Sequence, residues 1–119
     1  MKFYVNKQTG VIATVCCGEI ADPAFKELKA NSTDAAQEKH VPVVTVDGDT
    51  VKVDVGSIAH PMTDEHLIAG VFLETTNGFQ QVRLASNQQP KAEFKLANGE
   101  KPVAVYEYCN LHGLWVTKL

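Results

Sequence analysis

No run in this chain approaches the roughly 18–20 consecutive apolar residues of a membrane-crossing helix, so no such span is expected. The opening segment Met1-Lys2-Phe3-Tyr4-Val5-Asn6-Lys7 lacks the continuous apolar stretch of a secretory signal, and the protein reads as cytoplasmic. Basic residues are too few and too scattered for a nucleic-acid face: 11 Lys and Arg stand against 14 Asp and Glu, a net charge of -3. Cysteine is scarce and odd in number, with an adjacent pair, Cys16-Cys17, and a distant Cys109. That excludes the paired framework of a disulfide-stapled secreted domain. In a reducing compartment, metal binding or thiol chemistry suits these cysteines better, with inert buried thiols as the alternative. Histidine occurs only four times.

What remains is an ordinary globular composition, 45% hydrophobic and 21% charged over 119 residues. One domain is expected, with or without a short appendage, and it is long enough to bury a core unaided by metal or disulfide. Neither an internal repeat nor a low-complexity tract is visible. Lys2–Val5 and Val11–Val15 read as short strands around a Lys7-Gln8-Thr9-Gly10 turn, and Asp22-Pro23 breaks the chain after them. Residues 24–30 read as a connecting segment. Asp34–Lys39 predicts one helical turn, with Thr33 or Asp34 as its N-cap.

From Val41 onward the pattern is all β. Val43–Val46 runs into Asp47-Gly48-Asp49, a hairpin signal, and Val51-Lys52-Val53-Asp54-Val55 alternates with period two. Leu67–Glu74 is a continuous apolar strand turned at Asn77-Gly78 and answered by Phe79–Leu84. Ala92–Leu96 alternates, Asn98-Gly99 turns, and Val103–Tyr108 and Leu114–Lys118 complete the set. About seven short strands with a turn every 8–12 residues predict an immunoglobulin-like β-sandwich with a short N-terminal β appendage. The expected division is an appendage and linker over 1–30 and the sandwich over 31–119.

Every histidine falls at a strand end or in a loop: His40 before Val41-Pro42, His60 before Pro61, His66 ahead of the apolar strand, and His112 three residues after Cys109. Singly, each imidazole reads as a solvated or hydrogen-bonded loop residue, and Cys109 as a small buried hydrophobe. The Cys109-x-x-His112 spacing lets a thiolate and an imidazole meet on one metal from a tight turn. Four imidazoles and one thiolate overfill the closed tetrahedron of structural zinc. They suit a square pyramid around iron with one position open, the sulfur donating electron density.

The segments Thr33-Asp34-Ala35-Ala36-Gln37-Glu38-Lys39-His40-Val41-Pro42-Val43, Gly56-Ser57-Ile58-Ala59-His60-Pro61-Met62, Glu65-His66 and Glu107-Tyr108-Cys109-Asn110-Leu111-His112-Gly113-Leu114-Trp115 closely resemble the superoxide reductases, desulfoferrodoxin and neelaredoxin. The resemblance covers roughly residues 31–119, with all four motifs in the family's order. It implies a mononuclear non-haem iron in an immunoglobulin-like sandwich, often dimeric, that reduces superoxide to hydrogen peroxide with electrons usually from rubredoxin. Carried over, His40, His60, His66 and His112 would be equatorial ligands and Cys109 the axial one. Glu38 would take the sixth position of ferric iron, and Lys39 would attract and orient superoxide.

At the N-terminus the chain departs from desulfoferrodoxins, which hold a second, rubredoxin-like iron on four cysteines. Asn6 and Thr9 stand where the first cysteine pair would be, and only Cys16-Cys17 survives, so the second iron is expected to be absent. The appendage would then serve structure or dimer formation, with Cys16 and Cys17 as packing remnants, a vicinal disulfide or a weak metal site. Two other functions stay open at this stage. One is a non-catalytic immunoglobulin-like module with a structural metal, and the other is superoxide dismutation at the same iron.

Overall fold

The computed structural model describes all 119 residues. Two antiparallel sheets face each other, built from seven strands: β4 (Pro42–Asp47), β5 (Thr50–Val55), β6 (Ile68–Thr75), β7 (Gly78–Arg83), β8 (Lys91–Lys95), β9 (Pro102–Cys109) and β10 (Gly113–Lys118). One sheet has the order β10-β9-β6-β7 and the other β4-β5-β8. The strand alternation dictates what lies between them. Val51, Val53 and Val55 of β5 point inward, with Lys52 and Asp54 between them turned away. They meet Ile68, Val71, Leu73, Phe94, Val105 and Cys109 in one buried cluster. Cys109 closes β9 at the rim of that core, opposite Ile68 in the pairing of β6 with β9.

The strand β6 is buried along almost its whole length because its sheet is covered on both sides. The inner face packs on the core. The outer face is capped by a small three-stranded sheet of order β2-β1-β3, formed by β1 (Lys2–Asn6), β2 (Ile12–Val15) and β3 (Phe25–Glu27). Phe3 of β1 is the peg: its ring lies 5.0 Å from Phe72, edge-on at 73°, and 4.9 Å from Tyr106. The strand β3 falls in the segment expected to be a plain connection. Three residues are too few to display a period, and β3 exists by pairing with β1 rather than by its own pattern.

The one helical turn, α1, spans Gln37–His40, starting later than expected. Ala36, not Thr33 or Asp34, occupies the N-cap position and supplies no side-chain cap. The turn is held from below instead. Ile58 N–H and Ser57 Oγ–H both donate to the Glu38 carbonyl, at 2.9 and 3.2 Å. Gly56 permits this contact, since a Cβ there would lie 2.7 Å from the Glu38 carbonyl oxygen and 3.0 Å from that of Val41. Gly56→Ala is therefore expected to push α1 outward and to cost about 1–3 kcal/mol, the usual range for overpacking. Chemical denaturation of the variant measures it, and parental stability would show that α1 gives way freely.

Candidate metal centre

The loops at one end of the sandwich bring His40, His60, His66, Cys109 and His112 together, with one ligand atom of each within 4.8 Å of all the others. Each position follows from its element. His40 is the last residue of α1, and His60 is tied back by its N–H to the Val55 carbonyl at the end of β5. His66 sits in a closed turn with Thr63 just before β6, and Cys109 ends β9. His112 lies in the β9–β10 turn, which Gly113 completes at φ +79, a conformation that favours glycine. All four histidines and the cysteine singled out from sequence are thus in one cluster. Cys16 and Cys17 are exposed and outside it.

The four rings form a square. Neighbouring centroids are 4.7 Å apart for His40–His60, 4.5 Å for His60–His66, 5.0 Å for His66–His112 and 4.9 Å for His40–His112. The diagonal from His40 to His66 is 6.4 Å. Successive rings stand nearly perpendicular, at 76° to 83°. Nε2 of His40 is 3.2 Å from Nε2 of His60 and 3.1 Å from Nδ1 of His112. The thiol sulfur lies 3.6 Å from His60 Nε2 and 3.9 Å from His112 Nδ1, two opposite corners, as an apex over the square would.

The protonation pattern tests whether a metal fits. The Nδ1–H groups of His40 and His60 donate to the Ala36 and Pro61 carbonyls at 2.7 and 2.6 Å. Burial holds both imidazoles below their ordinary pKa, His60 at about 4, so the rings are neutral at pH 7. With the proton on Nδ1, each Nε2 presents a lone pair, and two lone pairs face each other across 3.2 Å. His66 Nε2 is also buried without a hydrogen-bond partner. A cation at the centre resolves all of these contacts. A square with sides near those measured has its centre about 2.2 Å from each corner, close to an ordinary metal–imidazole bond. The donor set, four imidazoles and one sulfur, fits iron and overfills a zinc tetrahedron.

Cys109 is fully buried, which raises its thiol pKa, while the backbone N–H groups of Leu111 and His112 act against that shift. Those dipoles, with a metal charge, favour the thiolate. Trp115, given no role from sequence, stacks on the His40 ring at 4.9 Å and 27° and donates its indole N–H to the His112 carbonyl at 3.1 Å. Glu107, likewise given no role from sequence, shares the inward face of β9 with Val105 and Cys109 by strand alternation. Its carboxyl is buried with no partner, and burial lifts its pKa to about 9. The signal was readable in principle: a carboxylate at a core-facing position of an alternating strand. Glu38 and Lys39 are exposed at the site's edge. Their charges reach it, since Glu38 favours the charged form of His40 and Lys39 disfavours that of His66.

The desulfoferrodoxin family model matches residues 32–118. The chain belongs to the desulfoferrodoxin family. A desulfoferrodoxin of Clostridium acetobutylicum is 38% identical over 97% of this chain and 94% of its own length. A protein named superoxide reductase in Thermococcus kodakarensis is 36% identical over 71% of this chain and 88% of its own. Among solved structures, the superoxide reductase of Treponema pallidum superposes with a TM-score of 0.81 at 38% identity, covering 99% of this chain and 100% of that one. The one-iron superoxide reductase of Giardia intestinalis gives 0.61 at 29% identity, covering 69% and 97%. As in that family, the chain is nearly all β with a group of four histidines and one cysteine that fits one mononuclear iron.

The opposed pKa shifts set the pH response of the metal-free protein. His40, His60 and His66 are held below the ordinary value of 6.5, so the unfolded chain binds protons that the folded chain does not. Their contribution is full above 6.5 and is lost as pH falls toward the His60 value of about 4. Glu107 behaves oppositely: the folded chain keeps a proton that the unfolded chain releases above 4.5, so stability falls as pH rises toward about 9. Stability of the metal-free protein should peak near pH 6.5, about the ordinary imidazole pKa, and Glu107→Gln should flatten the alkaline limb. Denaturation curves decide it between pH 6.5 and the ordinary thiol value of 9.0, above which the raised Cys109 pKa adds its own loss, and a decline in that window that survives in Glu107→Gln contradicts the assignment.

Proposed function

We propose that this chain is a superoxide reductase, passing one electron to superoxide, which leaves with two protons as hydrogen peroxide. His40, His60, His66, His112 and Cys109 would hold a mononuclear non-haem iron at this site. The observation that carries the reading is the square of imidazoles with a buried sulfur beside it, in a chain of this family. Iron bound there would supply a ferrous/ferric couple, and the Cys109 thiolate would donate electron density to it.

The chain's own residues bring the anion in. Superoxide is negative and the protein carries a net charge of -3, so attraction depends on a local cation. Lys39 adjoins His40 and enters none of the protein's ion pairs. Screening limits its reach to about 8 Å at physiological ionic strength, which suits a residue whose charge is felt at His66. Glu38, one residue further back, would offer its carboxylate to ferric iron held there. Burial of His40 and His60, at 2% and 3% exposure, leaves the less buried His66 and His112 toward solvent.

Residues 1–30 serve as a structural appendage and linker, and 31–119 as the iron-binding domain. Electrons come from a small redox protein such as rubredoxin, and the protein works as a homodimer in the cytoplasm. The reading has no second, four-cysteine iron, because Asn6 and Thr9 stand where its first cysteine pair would be.

Cys109→Ser is expected to abolish the sulfur-to-iron charge-transfer band of the oxidised iron protein, and an unchanged visible spectrum would remove Cys109 from the ligand set. Lys39→Ala should slow the second-order reaction with superoxide about tenfold or more and flatten its dependence on salt. Pulse radiolysis over a range of ionic strengths measures both, and parental behaviour in each would acquit Lys39 of steering. Peroxide formed mole for mole from superoxide, with consumption of an external donor, supports reduction; half that yield without a donor means dismutation.

A further inference from the structure

We propose that Asn110 is a positioning residue for His66, fixing that ligand in the square by clasping the backbone on either side of it. This rests on the five-residue iron centre proposed above. The other three imidazoles have their own restraints: His40 and His60 through ring N–H groups on backbone carbonyls, and His112 through Trp115, which holds its carbonyl. The His66 ring has no such hydrogen bond, and its Nε2 is buried and unpartnered. Its place must therefore come from its backbone.

Two sets of bonds act there. The first is a closed turn in which Thr63 and His66 exchange backbone bonds at 3.0 and 3.2 Å and the Thr63 hydroxyl accepts the His66 N–H at 3.1 Å. This turn shapes the loop but does not tie it to the other ligands. The second set does. Asn110 follows Cys109 and makes three contacts: its N–H donates to the Leu67 carbonyl at 3.2 Å, its Oδ1 accepts the Leu67 N–H at 3.0 Å, and its Nδ2 donates to the Glu65 carbonyl at 3.0 Å. Leu67 and Glu65 flank His66. The pairing of β6 with β9 ends at Ile68 opposite Cys109, so Asn110 carries the connection one step past the sheet and onto the ligand loop.

The side chain is matched to this task. A carboxamide offers an acceptor and a donor at once, whereas a carboxylate of the same size accepts only. In Asn110→Asp the bond to Leu67 N–H survives and the bond to the Glu65 carbonyl is replaced by repulsion between two oxygens. Loss of a group that orients a metal ligand typically weakens metal binding about 10–100-fold.

The experiment is ferrous-iron affinity by chelator competition, with the visible and EPR spectra of the oxidised iron protein, for the parent, Asn110→Ala, Asn110→Asp, His66→Ala and the Asn110→Ala/His66→Ala pair. Circular dichroism checks the fold, and Asn110→Asp carries the test should Asn110→Ala not fold. The expected result is weaker binding by roughly tenfold or more and a shifted spectrum in both Asn110 variants. The Asn110→Ala penalty should vanish once His66 is already alanine. Parental affinity and spectra in both variants, or an undiminished penalty in the pair, overturns the proposal. A parent that binds no iron overturns the centre itself, and the role of Asn110 with it.

Discussion

The Nε2 lone pairs of His40 and His60, aimed at one another across 3.2 Å, cannot be stabilised by apolar packing or by a hydrogen bond between themselves. They need a positive charge at their centre, and the rest of the structure is arranged around that need. Burial keeps the His40 and His60 rings neutral, the ligating form, and carbonyl acceptors on their far sides keep the proton away from the nitrogen that faces inward. Sulfur enters from the opposite quarter, already part of the core and approached by backbone N–H groups.

The sandwich supplies rigidity where it matters. Three of the five donors attach at or beside the end of a strand whose other residues are locked in the core: His60 beyond β5, Cys109 ending β9 and His66 ahead of β6. His40 is delivered by a single helical turn that would be marginal alone. Close seating against Gly56 and the stacked Trp115 ring fix it. The appendage acts at a distance from the donors. By covering the outer face of the larger sheet with Phe3, it lets β6 and β9 be buried on both sides. Both strands lead directly into the ligand loops.

The electrostatics divide by depth. Inside, an unpartnered Glu107 shares an inward face with the thiol, and burial favours its neutral, protonated form. At the edge, Glu38 and Lys39 are exposed to solvent, close enough to bias His40 and His66. A protein of net negative charge thus presents an unpaired cation beside the side of its metal centre that is least buried.

Much of this was written in local sequence. Strand alternation in Val51–Val55 and the turn signals Asn77-Gly78 and Asn98-Gly99 determined the strands, because a period of two and a left-handed turn residue act over a few neighbours. The residue types of the donor set, four histidines at loop or strand-end positions and Cys109 three before His112, were equally legible, and with them the choice of iron over zinc. What only the tertiary structure decided lies in contacts between residues far apart in the chain. The strand β3 forms because β1 offers it an edge, and α1 starts late because its anchors come from the Gly56–Ile58 loop. The order of the four rings, the tilt between them and the reach of Asn110 across to Glu65 and Leu67 depend on how β6, β9 and their loops are seated. Sequence spacing determines which side chains are available to a site. The angle and distance at which they meet follow from packing between segments, which no local pattern encodes.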